Sequence, residues 1–220
     1  MGKQRKTKNI DLTVGNIPSS LWKFAVPLML GNVLQQLYNL VDTWVVGHYI
    51  GDNALAAVGS SYTLMVFLTS VILGLCMGGG AAVSMDYGSG CADEMRRSIF
   101  LSFVLIAAIS LLLNVLVYVF IDPILALLRV PTDVVPLMKT YLLIIFAGIA
   151  ATFLYNYCAS VLRAIGNAVV PLLFLAVSAV LNVALDLCFV IVLRLGIGGA
   201  AFATVLAQFV SGIGILLYTL

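Results

Sequence analysis

The chain has 220 residues, of which 63% are hydrophobic and only 9% are charged, with a net charge of +2. A soluble domain carries roughly 25% charged residues, so this composition excludes a water-soluble monomer and indicates an integral membrane protein. The apolar runs are long and do not alternate, which favours transmembrane helices over a barrel. The small net charge gives no support for nucleic-acid binding. No GxxxxGK[ST] phosphate-binding motif is present, and we expect neither enzymatic activity nor a cofactor.

Six apolar spans follow a polar, basic tail at 1–16 that we predict to be cytoplasmic. Each span is long enough for the roughly 20 residues that cross a bilayer, and together they predict an all-α membrane protein with spans at about 18–48, 54–84, 98–121, 140–162, 168–193 and 199–220. A polar loop is predicted at 86–97, and Asp122-Pro123 is predicted to end the third span.

The distribution of Lys and Arg predicts the orientation, because cytoplasmic loops carry more of them. Both termini are therefore predicted to be cytoplasmic, in a multi-pass protein of the cell (plasma or inner) membrane. The side of the N-terminus receives Lys3, Arg5, Lys6, Lys8, Lys23, Arg96, Arg97 and Arg163, and the other side receives Arg129, Lys139 and Arg194.

Two of the nine acidic residues, Asp42 and Asp186, lie well inside spans. An acid in the hydrocarbon core is costly and marks a functional-site hypothesis. With a rise of 1.5 Å per residue, Asp42 and Asp186 each lie about 12 Å below the outer ends of their spans. Thr204 lies about 9 Å below the start of the sixth span on the same scale. Topology therefore predicts that three spans bring polar groups to one layer in the outer half of the membrane.

Further polar residues share faces with these acids. Asn182 lies one helical turn before Asp186. Gln35, Tyr38 and Asn39 form a stripe that leads to Asp42, while Gln208 lies one turn from Thr204. The stripe predicts a cavity inside the bundle. Two close carboxyl groups in a low dielectric can hold a proton or a small cation such as sodium, with amide and hydroxyl oxygens as further ligands. The alternative is structural: protonated, neutral aspartates that hydrogen-bond to neighbouring helices.

Four motifs resemble one known family, the multidrug and toxic compound extrusion (MATE) transporters. They occur in the order and spacing of that family and cover nearly the whole chain from about residue 12. The motifs are VDTWVVG at 41–47 with NALAAVG at 53–59, LRAIGNAVVP at 162–171, LNVALD at 181–186 and GGAAFAT at 198–204.

The resemblance implies a fold of twelve helices in two lobes, of which this sequence matches the N-terminal lobe. It implies export of organic cations or amphipathic compounds in exchange for protons or sodium. The coupling cation, sodium included, would bind at Asp42, Asn182, Asp186 and Thr204. Tyr38 and Asn156 match positions that line the cavity. We expect the C-terminal lobe to be absent, so that transport requires a second copy or a separate partner chain.

Two alternatives stay open at this point. The chain could be half of a lipid-linked saccharide flippase, or a membrane fragment that does not transport. We interpret the predicted spans as free of Lys and Arg, and this interpretation favours a cationic or neutral substrate, because flippase cavities carry more basic residues. Gln35, Asn39, Asn156 and Gln208 are candidate substrate contacts, although interhelical hydrogen bonding explains each of them equally well.

Overall fold

The structure, a computed structural model, describes residues 17–219 and is helical throughout this range, with no strand. The all-α class predicted from the sequence is therefore confirmed. The predicted tail at 1–16 lies outside the described residues. The helices are α1 (Ile17–Tyr49), α2 (Asp52–Ser89), α3 (Ala92–Leu127), α4 (Val135–Ala147), α5 (Ile149–Ala164), α6 (Val169–Asp186), a π-helical segment (Leu187–Val192) and α7 (Gly196–Thr219).

Four of these helices are long and apolar enough to cross a membrane: α2, α3, α6 together with its π-helical segment, and α7. The pair α4 and α5 makes a fifth if the two are one bent span. The rod formed by α1 is 33 residues long but does not reach the same apolar threshold. The polar stripe that includes Gln35 and Asp42 accounts for this lower hydropathy.

Two predicted boundaries are wrong. The loop predicted at 86–97 is reduced to Gly90 and Cys91, because α2 continues to Ser89 and α3 begins at Ala92. Gly90 ends α2 with a positive φ of 75°, a conformation that glycine adopts without strain. The third helix does not end at Asp122-Pro123 either. It changes direction at Phe120, whose φ and ψ are not helical, and continues to Leu127.

The fourth span is broken in the middle of the membrane-spanning stretch. Its halves, α4 and α5, meet at Gly148 with a bend of 47°. Two side chains of α3 donate to carbonyls near the end of α4: the Asn114 amide to that of Phe146 and the Tyr118 hydroxyl to that of Leu143. A Cβ at Gly148 would lie 2.7 Å from a methyl carbon of Val205. Only glycine therefore permits this contact between the break and α7.

The fifth span changes from α-helix to π-helix directly after Asp186. The Leu193 N–H donates to the Cys188 carbonyl at 2.9 Å, which is the five-residue spacing of a π-helix. The segment packs against α7 at Gly199, where an added Cβ would lie 3.2 Å from the Phe189 carbonyl oxygen. Single π turns of this kind occur frequently at functional sites.

Helix α7 lies at the centre of the lobe and packs against α4, α5 and α6. Its small buried residues Ala200, Ala201 and Ala203 let the neighbouring backbones approach closely. By contrast, large apolar side chains such as Phe100, Leu111 and Val119 of α3 point outward and are exposed. A packed interior of small residues with an apolar exterior is the arrangement of a helical bundle in lipid.

Candidate functional site

The two acids from separate spans meet inside the lobe. Asp42 of α1 is 7% exposed and Asp186, the last residue of α6, is 0% exposed. Their carboxyl groups are close enough to interact with each other electrostatically. No described residue donates a hydrogen bond to either oxygen of Asp186 or to Oδ1 of Asp42. Two adjacent carboxyl groups without donors cannot both stay ionised at low cost.

Asn182 and Thr204 lie beside this pair and are also buried. The Asn182 amide nitrogen donates to the Thr204 hydroxyl at 3.2 Å, which joins α6 to α7. This bond leaves the amide oxygen of Asn182 buried without a donor in the described part of the chain. The structure thus brings together all four residues that the sequence assigned to a cation site.

The site is a cluster of acceptor oxygens that lacks donors. Buried polar atoms in native proteins nearly always have partners, and each exception calls for an explanation. Here the unpartnered atoms are one oxygen of Asp42, both oxygens of Asp186 and the amide oxygen of Asn182. A proton shared by the carboxyl groups, or a hard cation with oxygen ligands, would satisfy them. The chemistry of the donor set therefore fits a proton or sodium.

Tyr141 is a buried residue near the acid pair that sequence reasoning missed. It belongs to α4, is buried, and lies close enough to Asp42 and Asp186 to interact with both electrostatically. A buried tyrosine hydroxyl requires a polar partner, which was the signal available in the sequence. The partner could not be identified because the bend at Gly148, which sets the direction of α4, does not follow from the hydropathy pattern.

A larger cavity of about 600 Å³ lies next to the acids, bounded by α1, α2, α5, α6 and α7. This volume is in the range of pockets for drug-sized ligands. Of the candidate substrate contacts, the cavity is lined by Gln35, Tyr38, Asn156 and Gln208. Asn39 does not line it, because its side chain turns along the helix surface and donates to Gln36 at 3.3 Å.

Polar side chains of the cavity are largely bonded to one another or to backbone. The Thr152 hydroxyl donates to the Gln208 side chain, and the Asn156 amide donates to the Thr152 carbonyl at 2.7 Å. Tyr38 and Gln208 also line a small space beside Asn182 and Thr204. These two residues therefore stand in the wall between the cavity and the acid pair.

The interpretation that no basic residue lies inside a span is wrong, since Lys23 lies within α1 and Arg163 lies within α5. Helix α5 continues past the predicted end at 162 to Ala164, which includes Arg163. Its side chain turns back along the helix, as long side chains on helices do, and its Nε donates to the Ala159 carbonyl at 3.0 Å. Arg163 consequently lines the 600 Å³ cavity.

These features define a class: a helical membrane lobe with a buried acid pair and an adjacent ligand-sized cavity. The family model of MatE matches residues 27–188, and the chain belongs to this family. The resemblance drawn from the four motifs is thereby confirmed.

Individual relatives support the same assignment. The chain is 37% identical over 201 residues to probable multidrug resistance protein YpnP of Bacillus subtilis, and the aligned region covers 91% of the chain and 45% of YpnP. It is 26% identical to multidrug export protein MepA of Staphylococcus aureus, over 90% of the chain and 44% of MepA. A solved multidrug resistance MATE family transporter in its outward-facing conformation matches with a TM-score of 0.90 and 26% identity, over 96% of the chain and 47% of that transporter. The chain spans about half the length of these relatives, which identifies its fold as one lobe.

Proposed function

We propose that the chain is the N-terminal lobe of a secondary active efflux transporter that exports amphipathic small molecules in exchange for protons or sodium. It moves its ligand without changing it chemically. The observation that carries this proposal is the group of buried acceptor oxygens on Asp42, Asp186 and Asn182 that lack a donor. The family membership and the names of the relatives support it.

Binding of the coupling ion would act on the packing of two spans. When both carboxyl groups are ionised, their like charges repel and favour separation of α1 from α6. A proton on one of them, or sodium between them, removes that repulsion and supplies what the bare oxygens lack. The Thr204 hydroxyl, which accepts a hydrogen bond from the Asn182 amide, offers a fifth oxygen to sodium. Ion occupancy therefore biases the position of α1, which is the change that coupling requires.

The proposed cargo binds in the 600 Å³ cavity. Its wall shares Tyr38, Ser178 and Gln208 with the small space beside Asn182 and Thr204. A movement of α1 relative to α6 would therefore reshape both spaces together. This shared wall supports a mechanism in which the cargo and the ion compete for one conformation of the lobe.

Alternating access in secondary transporters uses two halves that move around a central site. We propose that a C-terminal lobe completes the transporter. We further propose that both termini face the cytoplasm of a plasma-membrane protein, with the acid pair in the outer half of the bilayer.

The test compares ion binding in three single variants of the full chain in phosphatidylcholine nanodiscs. We expect the wild type to bind radioactive sodium in competition with protons, or to take up a proton when sodium is excluded. Asp42→Asn and Asp186→Asn should each lower this binding at least about tenfold, since each removes a charged ligand. Asp133→Asn is the matched control, because Asp133 is exposed in the segment before α4.

The same variants are then assayed for efflux of a fluorescent amphiphile from cells that express the chain with its partner lobe. Loss of efflux in Asp42→Asn and Asp186→Asn, with full efflux in Asp133→Asn, is the expected result. Ion binding and gradient-driven efflux at wild-type levels in both site variants would refute the coupling role.

A further inference from the structure

Among the described residues, no acid forms an ion pair with the Arg163 guanidinium. Its Nε donates to the Ala159 carbonyl of its own helix, and no other hydrogen bond from Arg163 occurs within the described part of the chain. The one ion pair between residues 17 and 219 is Lys139 with Asp122, on the far side of the bend at Gly148. Arg163 is also only partly exposed. A charge removed from water without a partner is costly.

The cavity that Arg163 lines contains no compensating acid. Its lining residues include ten neutral polar side chains and one formal charge, that of Arg163, but no Asp or Glu: the polar set is Asn32, Gln35, Tyr38, Thr152, Tyr155, Asn156, Ser160, Ser178, Gln208 and Ser211. Asp42 and Asp186 do not line it. Along α5, Thr152 beside the acid-pair wall and Arg163 are eleven residues apart, which is about 16 Å. The guanidinium is therefore well separated along α5 from the part of the cavity wall that adjoins the ion site.

The neighbours of Arg163 cannot take over the role of counter-charge. The Ser160 hydroxyl donates to the Cys76 carbonyl at 2.7 Å, and the Tyr155 hydroxyl donates to the Pro171 carbonyl at 3.0 Å. Each of these hydroxyls is already bonded to backbone. The free donors at this end of the cavity are thus the terminal nitrogens of the guanidinium, a planar group suited to two parallel bonds with a carboxylate or phosphate.

The remaining wall is apolar. Side chains from α1, α2 and α6 supply it: Leu28, Leu73, Met77, Leu172 and Leu175. A ligand that fills the cavity would place an apolar body against these residues and a charged head at Arg163. An organic cation would find no Asp or Glu among the residues that line the cavity.

We propose that this cavity binds an amphipathic anion, with a carboxylate or phosphate head group on Arg163 and an apolar body along α1, α2 and α6. The inference rests on the proposed efflux function in treating this ligand as the cargo. It reverses the preference for a cationic or neutral substrate, because that preference depended on the absence of basic residues from the spans.

The test uses equilibrium dialysis to measure the binding of two probes of similar size and opposite charge, 2-naphthoate and protonated 2-naphthylmethylamine. The full chain is used in phosphatidylcholine nanodiscs, and binding to empty nanodiscs is subtracted. We expect naphthoate to bind at least about tenfold more tightly than the amine. Arg163→Gln should weaken naphthoate binding about tenfold or more, because it removes charge-assisted hydrogen bonds. Arg163→Lys should retain part of it, and Arg97→Gln, an exposed arginine on α3, should leave it unchanged.

A measurement on the wild type keeps the inference testable if Arg163→Gln does not fold. Phenylglyoxal modifies accessible arginine side chains, and mass spectrometry reports each position. Naphthoate should protect Arg163 but not Arg97, and the amine should protect neither. Equal binding of both probes, together with no protection of Arg163, would overturn the anion site.

The source of the head group is decided by a second set of nanodiscs that contain phosphatidylglycerol. Competition between this lipid and naphthoate would assign the site to a lipid phosphate, and undiminished naphthoate binding would assign it to a soluble anion. The double variant Asp42→Asn with Asp186→Asn separates this inference from the proposed function. If it binds naphthoate normally and keeps ion-driven efflux, the coupling proposal fails while the anion site stands.

Discussion

Substitution of Gly148 by alanine tests how the broken span is held against α7. A Cβ at this position would lie 2.7 and 2.9 Å from the two methyl carbons of Val205. Carbon atoms in favourable contact are about 3.5–4.0 Å apart, so one helix must shift by nearly 1 Å or Val205 must leave its rotamer. Overpacking of this kind costs about 1–3 kcal/mol. For a chain of this length, each kcal/mol lowers Tm by about 2–4 °C.

The assay is thermal unfolding in a neutral detergent, followed by the loss of the monodisperse peak in size-exclusion chromatography. Gly74→Ala is the matched control, because nothing lies within 4 Å of an added Cβ there. Glycine in a helix interior costs roughly 0.5–1 kcal/mol relative to alanine, so the control should be as stable as the wild type or slightly more stable.

A second substitution tests the stated cause. Val205→Ala alone leaves a small cavity and should destabilise the protein, but combined with Gly148→Ala it removes both methyl carbons that clash. The double variant should therefore be more stable than the sum of the single effects predicts, with a coupling of about 0.5–3 kcal/mol. Wild-type stability of Gly148→Ala, or strict additivity of the two changes, would refute the contact described here.

Two further predictions concern polar contacts. Asn114→Ala should lower the free energy of unfolding by about 1–3 kcal/mol, because the buried Phe146 carbonyl loses its side-chain donor. The control is Ser70→Ala, which removes a hydrogen bond at an exposed position and should change stability very little. Equal melting temperatures of the two variants would contradict the role of Asn114. Thr204→Val should weaken sodium or proton binding several-fold, because the Asn182 amide loses its acceptor. Thr204→Ser keeps the hydroxyl and should retain ion binding. Equal ion binding by both variants would show that the hydroxyl is not needed.

Asp42 and Asp186 could be identified from the sequence because an acidic residue is rare within an apolar span. Asp42, Asp186 and Thr204 lie in different spans, and the fixed rise of a helix converts their sequence positions into similar depths. The structure places these groups together with Asn182, as that arithmetic required. Their role as a cation site stays a proposal that the ion-binding experiment decides.

The remaining parts of the site depend on packing that a single sequence does not reveal. At the break, Gly148 lies close to Val205, some sixty residues away in the sequence, and the hydropathy pattern does not reveal this contact. Arg163 was placed in a loop because the predicted span ended one residue before it. Its cavity-facing position depends on the direction that a long side chain takes, which the hydropathy pattern does not encode. Asn39 was predicted from helical spacing alone to line the cavity, but its side chain does not line it.

The π-helical segment after Asp186 has a consequence for how the fifth span tolerates changes in length. A residue in an α-helix is rotated by about 100° from the one before it, so a deletion within α6 would turn Asp186 away from Asp42. A π turn already holds one residue more than the α-helical count. Removal of one residue within Leu187–Val192 would convert that turn to an ordinary α-helix and leave the direction of Asp186 unchanged. Variation in length is therefore expected to be confined to the side of the acid that leads to α7.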